Sequence, residues 1–169
     1  QKAVNEFEKA LVIVDEDEAE DVYSSIAFEY ENMGAFDTAL EYLMKALNVS
    51  AFPEQILYEI GMCYEMAGKS EASVNFFKQY LDKNPYSVAA WFNLGLSNHH
   101  IEQYEQAVDA FEFAISIDEY YLPAYLSMAQ SYSSMEAYSK AIEVYNESFE
   151  LEAPEAITLY DVCLLYTSP

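Results

Sequence analysis

Large apolar residues recur along this chain at spacings of three and four, in short stretches that turns interrupt. This spacing places the apolar side chains on one face of an α-helix. When the chain is aligned with itself at an offset of 34 residues, the stretches coincide over four repeats without a gap. Each repeat contains two such stretches with a turn between them. The pattern therefore predicts four tandem pairs of helices.

The aligned columns keep one kind of side chain from repeat to repeat. A large residue opens the first helix in Tyr23, Leu57, Trp91 and Tyr125. A small residue follows four positions later in Ala27, Gly61, Gly95 and Ala129. The second helix has its own small column in Ala39, Ser73, Ala107 and Ala141, and a large one in Leu43, Phe77, Phe111 and Tyr145. We expect the small columns to let paired helices approach closely while the large ones fill the space around the crossing.

Glycine and proline mark the ends of these helices. Gly34 and Gly68 follow first helices, where glycine can take the left-handed capping conformation. A proline follows each second helix, at Pro53, Pro85, Pro123 and Pro154. We expect these prolines in the first turn of the next helix, where an N–H would have no hydrogen-bond acceptor within the helix and its absence costs nothing.

The third repeat carries the two most diagnostic stretches, WFNLGLSN from Trp91 and AVDAF from Ala107. They resemble the tetratricopeptide repeat, whose pattern is W-x2-L-G-x2-Y followed by A-x3-F and then Pro. A few positions depart from that pattern, namely Asn98 in place of Tyr, Ser73 and Ser148 in place of Ala, and Glu119 in place of Pro. The resemblance covers nearly the whole chain. It implies an all-α fold, a right-handed α-solenoid of antiparallel helix pairs.

The same register predicts where the repeats begin and end. We expect the second helix of a preceding repeat at 1–14, four repeats at 20–53, 54–87, 88–121 and 122–155, and the start of a further repeat at 156–162. The first segment repeats the second-helix signature as Ala3-x3-Phe7-x2-Ala10, and Leu159 to Val162 match Leu57 to Ile60. We therefore expect a fragment of a larger, bacterial-type repeat protein, with an array that continues beyond both ends.

The last residues, 163–169, read CLLYTSP and do not need to belong to the protein. Cys163 to Ser168 can be encoded by TGT CTC TTA TAC ACA TCT, which looks like the end of a transposase adapter used in sequencing libraries. We interpret 163–169 as an adapter artefact. The alternative is a genuine repeat, because Tyr166 also fits the column of Tyr30.

The charge of the chain restricts its partners. It has 30 Asp and Glu against seven Lys, no Arg, and a net charge of -23. This surface repels phosphate, so nucleic acid and anionic membranes are not expected partners. No apolar run approaches the roughly 20 residues that cross a bilayer, so we expect no membrane contact in this segment. We expect a cytoplasmic location, and the periplasm stays open because the N-terminus is missing.

Three groups of residues could suggest chemistry, and none has the required spacing. His99 and His100 are adjacent and therefore point about 100° apart on a helix, which does not suit one metal ion. We expect them at a solvated helix end, with a proton or stray cation shared between Glu65 and His99 as the open alternative. The acidic run from Asp15 to Asp21 lacks a calcium loop's spacing, and Cys63 fits a packed thiol. We expect no catalytic residue, cofactor or metal, and no enzyme activity.

The resemblance implies a concave groove lined by the first helices, where such arrays bind partners. The groove positions in this sequence are Ser24, Phe28, Tyr58, Glu59, Met62, Phe92, Asn93, Leu96, Leu126 and Gln130. Members of the family that bind the acidic tails of chaperones have Lys, Arg and Asn at these positions. Here only Asn93 matches, so a chaperone tail is not an expected partner. We expect a non-catalytic scaffold that binds a protein or peptide with apolar anchors and basic flanks.

Two alternatives to this groove stay open. Part of the apolar stripe could be core that packs against adjacent repeats. The array could also be a structural spacer or sensor segment of a larger multidomain protein, such as a regulator, a kinase or an envelope-assembly protein.

Overall fold

The computed structural model describes residues 6–7, 16–153 and 155–167. Within these ranges the chain forms nine α-helices and no β-strand. The helices are α1 Glu16–Asn32, α2 Phe36–Val49, α3 Pro53–Met66, α4 Ser70–Leu81, α5 Val88–His100, α6 Tyr104–Ile117, α7 Leu122–Ser134, α8 Tyr138–Leu151 and α9 Ala156–Thr167. The predicted all-α fold is confirmed, and none of the described helices is long and apolar enough to cross a bilayer.

The chain divides into two compact units, residues 1–73 and residues 74–169, with the boundary inside α4. In the N-terminal unit, α1 packs against α2, and α2 packs against α3. In the C-terminal unit, α5 pairs with α6 and α7 pairs with α8, while α6 also packs on α7 and α8 on α9. Four of these helices, α2, α6, α7 and α8, therefore pack against both their hairpin partner and a helix of a neighbouring pair.

The core of the N-terminal unit forms where α1 and α2 cross. Ala27 on α1 and Ala39 on α2 are both fully buried, as their small columns predict. Tyr42 lies beside this crossing and stacks on Tyr30 with ring centroids 5.7 Å apart. The remaining buried apolar side chains of this unit are Ile26, Leu40, Leu43, Ala46, Ile56, Leu57, Ile60, Cys63 and Tyr64.

In the C-terminal unit the corresponding crossing of α5 and α6 leaves no room for a side chain at Gly95. A Cβ placed on Gly95 would lie 2.4 Å from Cε1 of Phe111, which is itself fully buried. Only a residue without a side chain leaves room for this ring. Further along the unit, the core includes Ala107, Ala114, Ala129, Ala141, Val144, Tyr145, Val162 and Leu165. The last two belong to α9, which continues into residues 163–167; the adapter origin of that segment stays a prediction.

All four helical hairpins turn through a residue in the left-handed conformation. Gly34 and Gly68 have φ of +71° and +65°, as their capping role predicts. Glu102 and Glu136 occupy the same position of the next two repeats with φ of 61° and 58°. In the third repeat the N–H of the next residue, Gln103, donates to the carbonyl of Asn98 in α5 at 2.9 Å. This satisfies a carbonyl at the helix end. The two glutamates were not anticipated from the sequence.

The prolines do not all sit where the sequence predicted. Pro53 and Pro123 lie in the first turn of α3 and α7. Pro85 does not, because α5 begins at Val88 and Ser87 is its N-cap, whose hydroxyl accepts from the N–H of Ala90 at 3.2 Å. Pro85 instead offers its carbonyl to Nε1 of Trp91 at 2.8 Å. Pro154 lies outside the described residues.

Candidate partner-binding surface

The N-terminal unit contains an open pocket of about 590 Å³, which we call the acidic pocket. Its lining comes from α1, α2 and α3, together with Phe7 from the preceding segment. The lining residues are Phe7, Asp21, Ser24, Ser25, Phe28, Glu29, Glu31, Leu43, Glu59 and Met62. Four of the five groove positions predicted for this unit are among them: Ser24, Phe28, Glu59 and Met62.

Phe28 and Met62 form the apolar walls of the acidic pocket. Each side chain is 61% exposed although both are large and hydrophobic. Leu43, by contrast, is 1% exposed and belongs to the core beneath them. The exposed parts of Phe28 and Met62 do not contribute to the packing of the unit, and such apolar surface is typical of interaction sites. Tyr58, the fifth predicted position, is half-buried and does not line the pocket.

The electrostatics of the acidic pocket centre on Glu31. Partial burial raises the pKa of this carboxyl, a hydrogen bond with the Cys63 thiol lowers it, and the charge of Glu59 raises it again, with a net upward shift. Burial, together with the charge of Glu31, raises the pKa of Cys63 to about 12. The thiol also donates to the carbonyl of Phe36 at 3.6 Å. Cys63 is therefore a protonated, packed thiol rather than a nucleophile.

The predicted groove positions on α5 are more involved in packing. Phe92 is half-buried, and its ring lies 5.8 Å from that of Phe111 and 5.3 Å from that of Tyr121. Asn93 is 4% exposed, and its Nδ2 donates to the carbonyl of Ala89 at 2.8 Å. The Asn93 side chain is thus used within its own helix. Leu96 is half-buried and packs against the core of this unit.

The other two predicted positions, Leu126 and Gln130 on α7, line a second pocket of about 290 Å³, the α7–α9 pocket. Most of its remaining lining comes from α8, α9 and the segment between them: Leu122, Tyr145, Ser148, Phe149, Glu152, Ala153, Glu155, Ile157, Thr158 and Asp161. The contribution of α8 was not predicted from the sequence, because only first helices were expected to line the groove. The available signal was the apolar character of Phe149 near the end of α8 and of Ile157 near the start of α9.

The two histidines lie in the last turn of α5 with ring centroids 6.3 Å apart, as the sequence predicted, but only one of them is solvated. His100 is exposed, but His99 is half-buried and its Nδ1 lies 2.8 Å from Oγ of Ser131 on α7. Because the Ser131 hydroxyl donates its single proton to the carbonyl of Ser127 at 2.9 Å, His99 Nδ1–H is the donor in this pair. Burial and the neighbouring His100 lower the pKa of His99. The imidazole is a neutral link between α5 and α7.

The described residues contain no group of three or more His, Cys, Asp or Glu arranged to hold a metal ion. Both cysteines are free, Cys63 buried and Cys163 exposed. The linings of the two pockets consist largely of apolar side chains and carboxylates.

Family models of the tetratricopeptide repeat match residues 20–52, 55–87, 76–109 and 122–154. These matches cover most of the chain. Three of them fall on helix pairs described above, and the match at 76–109 runs from α4 through α5 into α6. The chain belongs to the tetratricopeptide repeat family. The resemblance seen in the sequence is thereby confirmed. No curated protein matches the sequence significantly.

Solved structures agree with this assignment. A crystal structure of MamA protein is 25% identical with a TM-score of 0.70, over 89% of this chain and 82% of that one. MamA 41-end from Desulfovibrio magneticus RS-1 is 21% identical with a TM-score of 0.70, over 88% of this chain and 84% of that one. YrrB, described as a TPR protein with an unusual peptide-binding site, is 18% identical with a TM-score of 0.68, over 95% and 85%. These likenesses support an α-solenoid of helix pairs.

Proposed function

We propose that this chain is a non-catalytic interaction scaffold that binds a peptide or partner protein on the surface formed by the first helices of its repeats. One observation carries the proposal: Phe28 and Met62, on two successive first helices, are each 61% exposed in the walls of one open pocket. Exposed apolar side chains in a concavity are typical of partner-binding sites. The description of YrrB, a protein of the same fold, as having a peptide-binding site agrees with this role.

The chemistry of the surface indicates the kind of partner. The apolar walls favour apolar anchor residues, and the net charge of -23 favours basic residues that flank them. The same charge disfavours nucleic acid and the acidic tails of chaperones. Among the predicted positions, we propose Ser24, Phe28, Tyr58, Glu59 and Met62 for the N-terminal unit, and Phe92, Leu96, Leu126 and Gln130 for the C-terminal unit. We do not include Asn93, because its side-chain amide donates a hydrogen bond within its own helix.

We also propose that the protein works in the cytoplasm. The two cysteines are both free, and a reducing compartment keeps thiols in that state.

A structural spacer or sensor segment of a larger protein is the competing function. The packing of Phe92 against Phe111 and Tyr121 favours it for the C-terminal unit, because an aromatic residue held in this way contributes to rigidity. A spacer needs no peptide affinity, so the two functions differ in a measurable property.

The test starts from a random peptide library displayed on phage and selected against the whole chain. The selected peptide is then titrated by calorimetry into the Phe28→Ala/Met62→Ala variant. We expect at least a tenfold loss of affinity, the size typical of central anchor contacts, with an unchanged melting temperature because both side chains are exposed.

The matched control is Phe52→Ala/Met66→Ala, which removes the same two side-chain types from exposed positions of the same unit outside the pocket. This variant should bind like the parent. If it loses as much affinity as the pocket variant, the proposed surface is wrong. If the library yields no peptide at all, the spacer function is favoured.

A further inference from the structure

We propose that the acidic pocket holds one lysine or arginine side chain of the partner, with its aliphatic stem between Phe28 and Met62 and its charged head at Glu31 and Glu59. This inference rests on the proposed function and deepens it, because it assigns one type of side chain to one position.

The pocket has the two kinds of surface that such a side chain needs. Lysine and arginine are amphipathic: a stem of methylene groups carries a terminal charge. Phe28 from α1 and Met62 from α3 supply exposed apolar walls for the stem. Glu31 and Glu59, from the same two helices, supply carboxylates for the head. A neutral apolar side chain would use the walls alone.

Within the residues that the structure describes, no cation of the N-terminal unit compensates the charge of the pocket. Four of the described lining residues are acidic, Asp21, Glu29, Glu31 and Glu59, and none is basic. The described part of the N-terminal unit contains two lysines, and both are engaged outside the pocket. Lys69 forms an ion pair with Asp37, and Nζ of Lys45 lies 4.2 Å from the centre of the Tyr42 ring.

The state of Glu31 follows from the groups that face it. Glu59 and Cys63 act on Glu31 from α3, while Asp37 on α2 and Lys69 before α4 act on Cys63. Burial and the charge of Glu59 raise the pKa of Glu31, whereas Cys63 stays protonated with a pKa of about 12. A cation at this point would relieve the repulsion between the two carboxylates. Its binding therefore favours ionised Glu31 and should strengthen as pH rises through the pKa of Glu31.

The experiment uses four probes on the whole chain, the peptides acetyl-Ala-Leu-Xaa-Leu-Ala-amide with Lys, Arg, norleucine or Glu as Xaa. Binding is followed by the ¹³C methyl resonance of Met62. We expect the Lys and Arg peptides to shift this resonance and to bind about tenfold more tightly than the norleucine peptide, as charge-assisted contacts imply. As the pH rises through the raised pKa of Glu31, the Lys peptide should gain affinity because this carboxyl ionises. The norleucine peptide should not.

Two charge-matched variants separate the pocket from the general acidity of the chain. Glu31→Gln/Glu59→Gln should remove the preference for Lys over norleucine. Glu41→Gln/Glu71→Gln removes the same charge at exposed positions outside the pocket. This variant should retain the preference for Lys over norleucine. Equal losses in both variants would overturn the inference, because the attraction would then be long-range.

The remaining outcomes are also decisive. If the norleucine peptide binds as tightly as the Lys peptide, or if no probe shifts Met62, the inference fails while a peptide selected from the library still supports the proposed function. If spermidine shifts Met62 with the affinity of the Lys peptide, the pocket accepts a free polyamine and its assignment to a protein side chain is overturned. Failure of the library selection, by contrast, defeats the proposed function itself.

Discussion

The two units of the chain close the same helical turn with different residues. The N-terminal unit uses Gly34 and Gly68, and the C-terminal unit uses Glu102 and Glu136, yet all four residues have φ between 58° and 71°. Glycine takes this conformation freely, whereas a residue with a Cβ pays roughly 1 kcal/mol for it. The turn is therefore imposed by the hairpin as a whole, and the C-terminal unit tolerates a strain that the N-terminal unit avoids.

At Gly95 the C-terminal unit needs glycine, but for a different reason from that at Gly34 and Gly68. This glycine lies inside α5, where its backbone is helical and any residue could adopt it. A Cβ here would meet Phe111 at 2.4 Å, while a Cβ on Gly34 or Gly68 would have nothing within 4 Å. Gly34 and Gly68 in the N-terminal unit thus serve backbone conformation, and Gly95 in the C-terminal unit serves space. Single substitutions can test each half of this statement.

The largest effect is expected for Gly95→Ala. Alanine favours a helix by about 1 kcal/mol over glycine, but the clash with Phe111 forces the ring or the helix to move, at about 1–3 kcal/mol. Because Phe111 is fully buried and cannot move freely, we expect a net loss of up to about 2 kcal/mol in the free energy of unfolding, measured by urea denaturation.

The second substitution Phe111→Leu makes room beside the new methyl group, so Gly95→Ala should cost less in that background than in the parent. Equal costs in both backgrounds would show that the ring is not the obstacle and that Gly95 is replaceable.

A smaller effect is expected for Gly34→Ala and Gly68→Ala. Each should cost about 1 kcal/mol of stability, because L-alanine is strained at positive φ although there is open space around it. The control is D-alanine at the same position, introduced by chemical ligation, which fits positive φ and should not destabilise. Thermal melts of the L and D forms that coincide would contradict a backbone origin.

The smallest effect is expected for Glu102→Gly and Glu136→Gly, and it has the opposite sign. Relief of the left-handed strain should raise stability by about 0.5 kcal/mol each, after the added chain entropy of glycine is subtracted. Glu112→Gly, inside α6, is the control and should lose about 1 kcal/mol. Destabilisation in all three variants would mean that Glu102 and Glu136 make contacts which outweigh their strain.

Much of the fold was predictable because each repeat shows the same pattern again. The columns of Ala27, Ala39 and Phe111 identified buried positions, since a helix face is set by local spacing alone. Pro85 shows where this reasoning stops. Whether a proline enters the first turn depends on the residue that caps the helix, and Ser87 competes for that role.

The candidate site was less predictable than the fold. Phe28 and Met62 were identified because first-helix positions follow the family pattern. The contribution of Phe149 to the α7–α9 pocket was not, because it depends on how a second helix meets the following pair. The hydrogen bond of His99 to Ser131 was also missed, since a contact between residues 32 positions apart leaves no trace in local spacing.

The environment of Trp91 has an optical consequence. Its indole is the chain's single tryptophan, and it lies in the C-terminal unit with its ring stacked on Phe113 at 4.5 Å and Nε1 tied to the Pro85 carbonyl. Indole emission therefore reports on the surroundings of Trp91 in the C-terminal unit, while the aromatic residues of the N-terminal unit are tyrosine and phenylalanine. Denaturation curves recorded by indole emission and by circular dichroism compare one unit with the whole, without any added label.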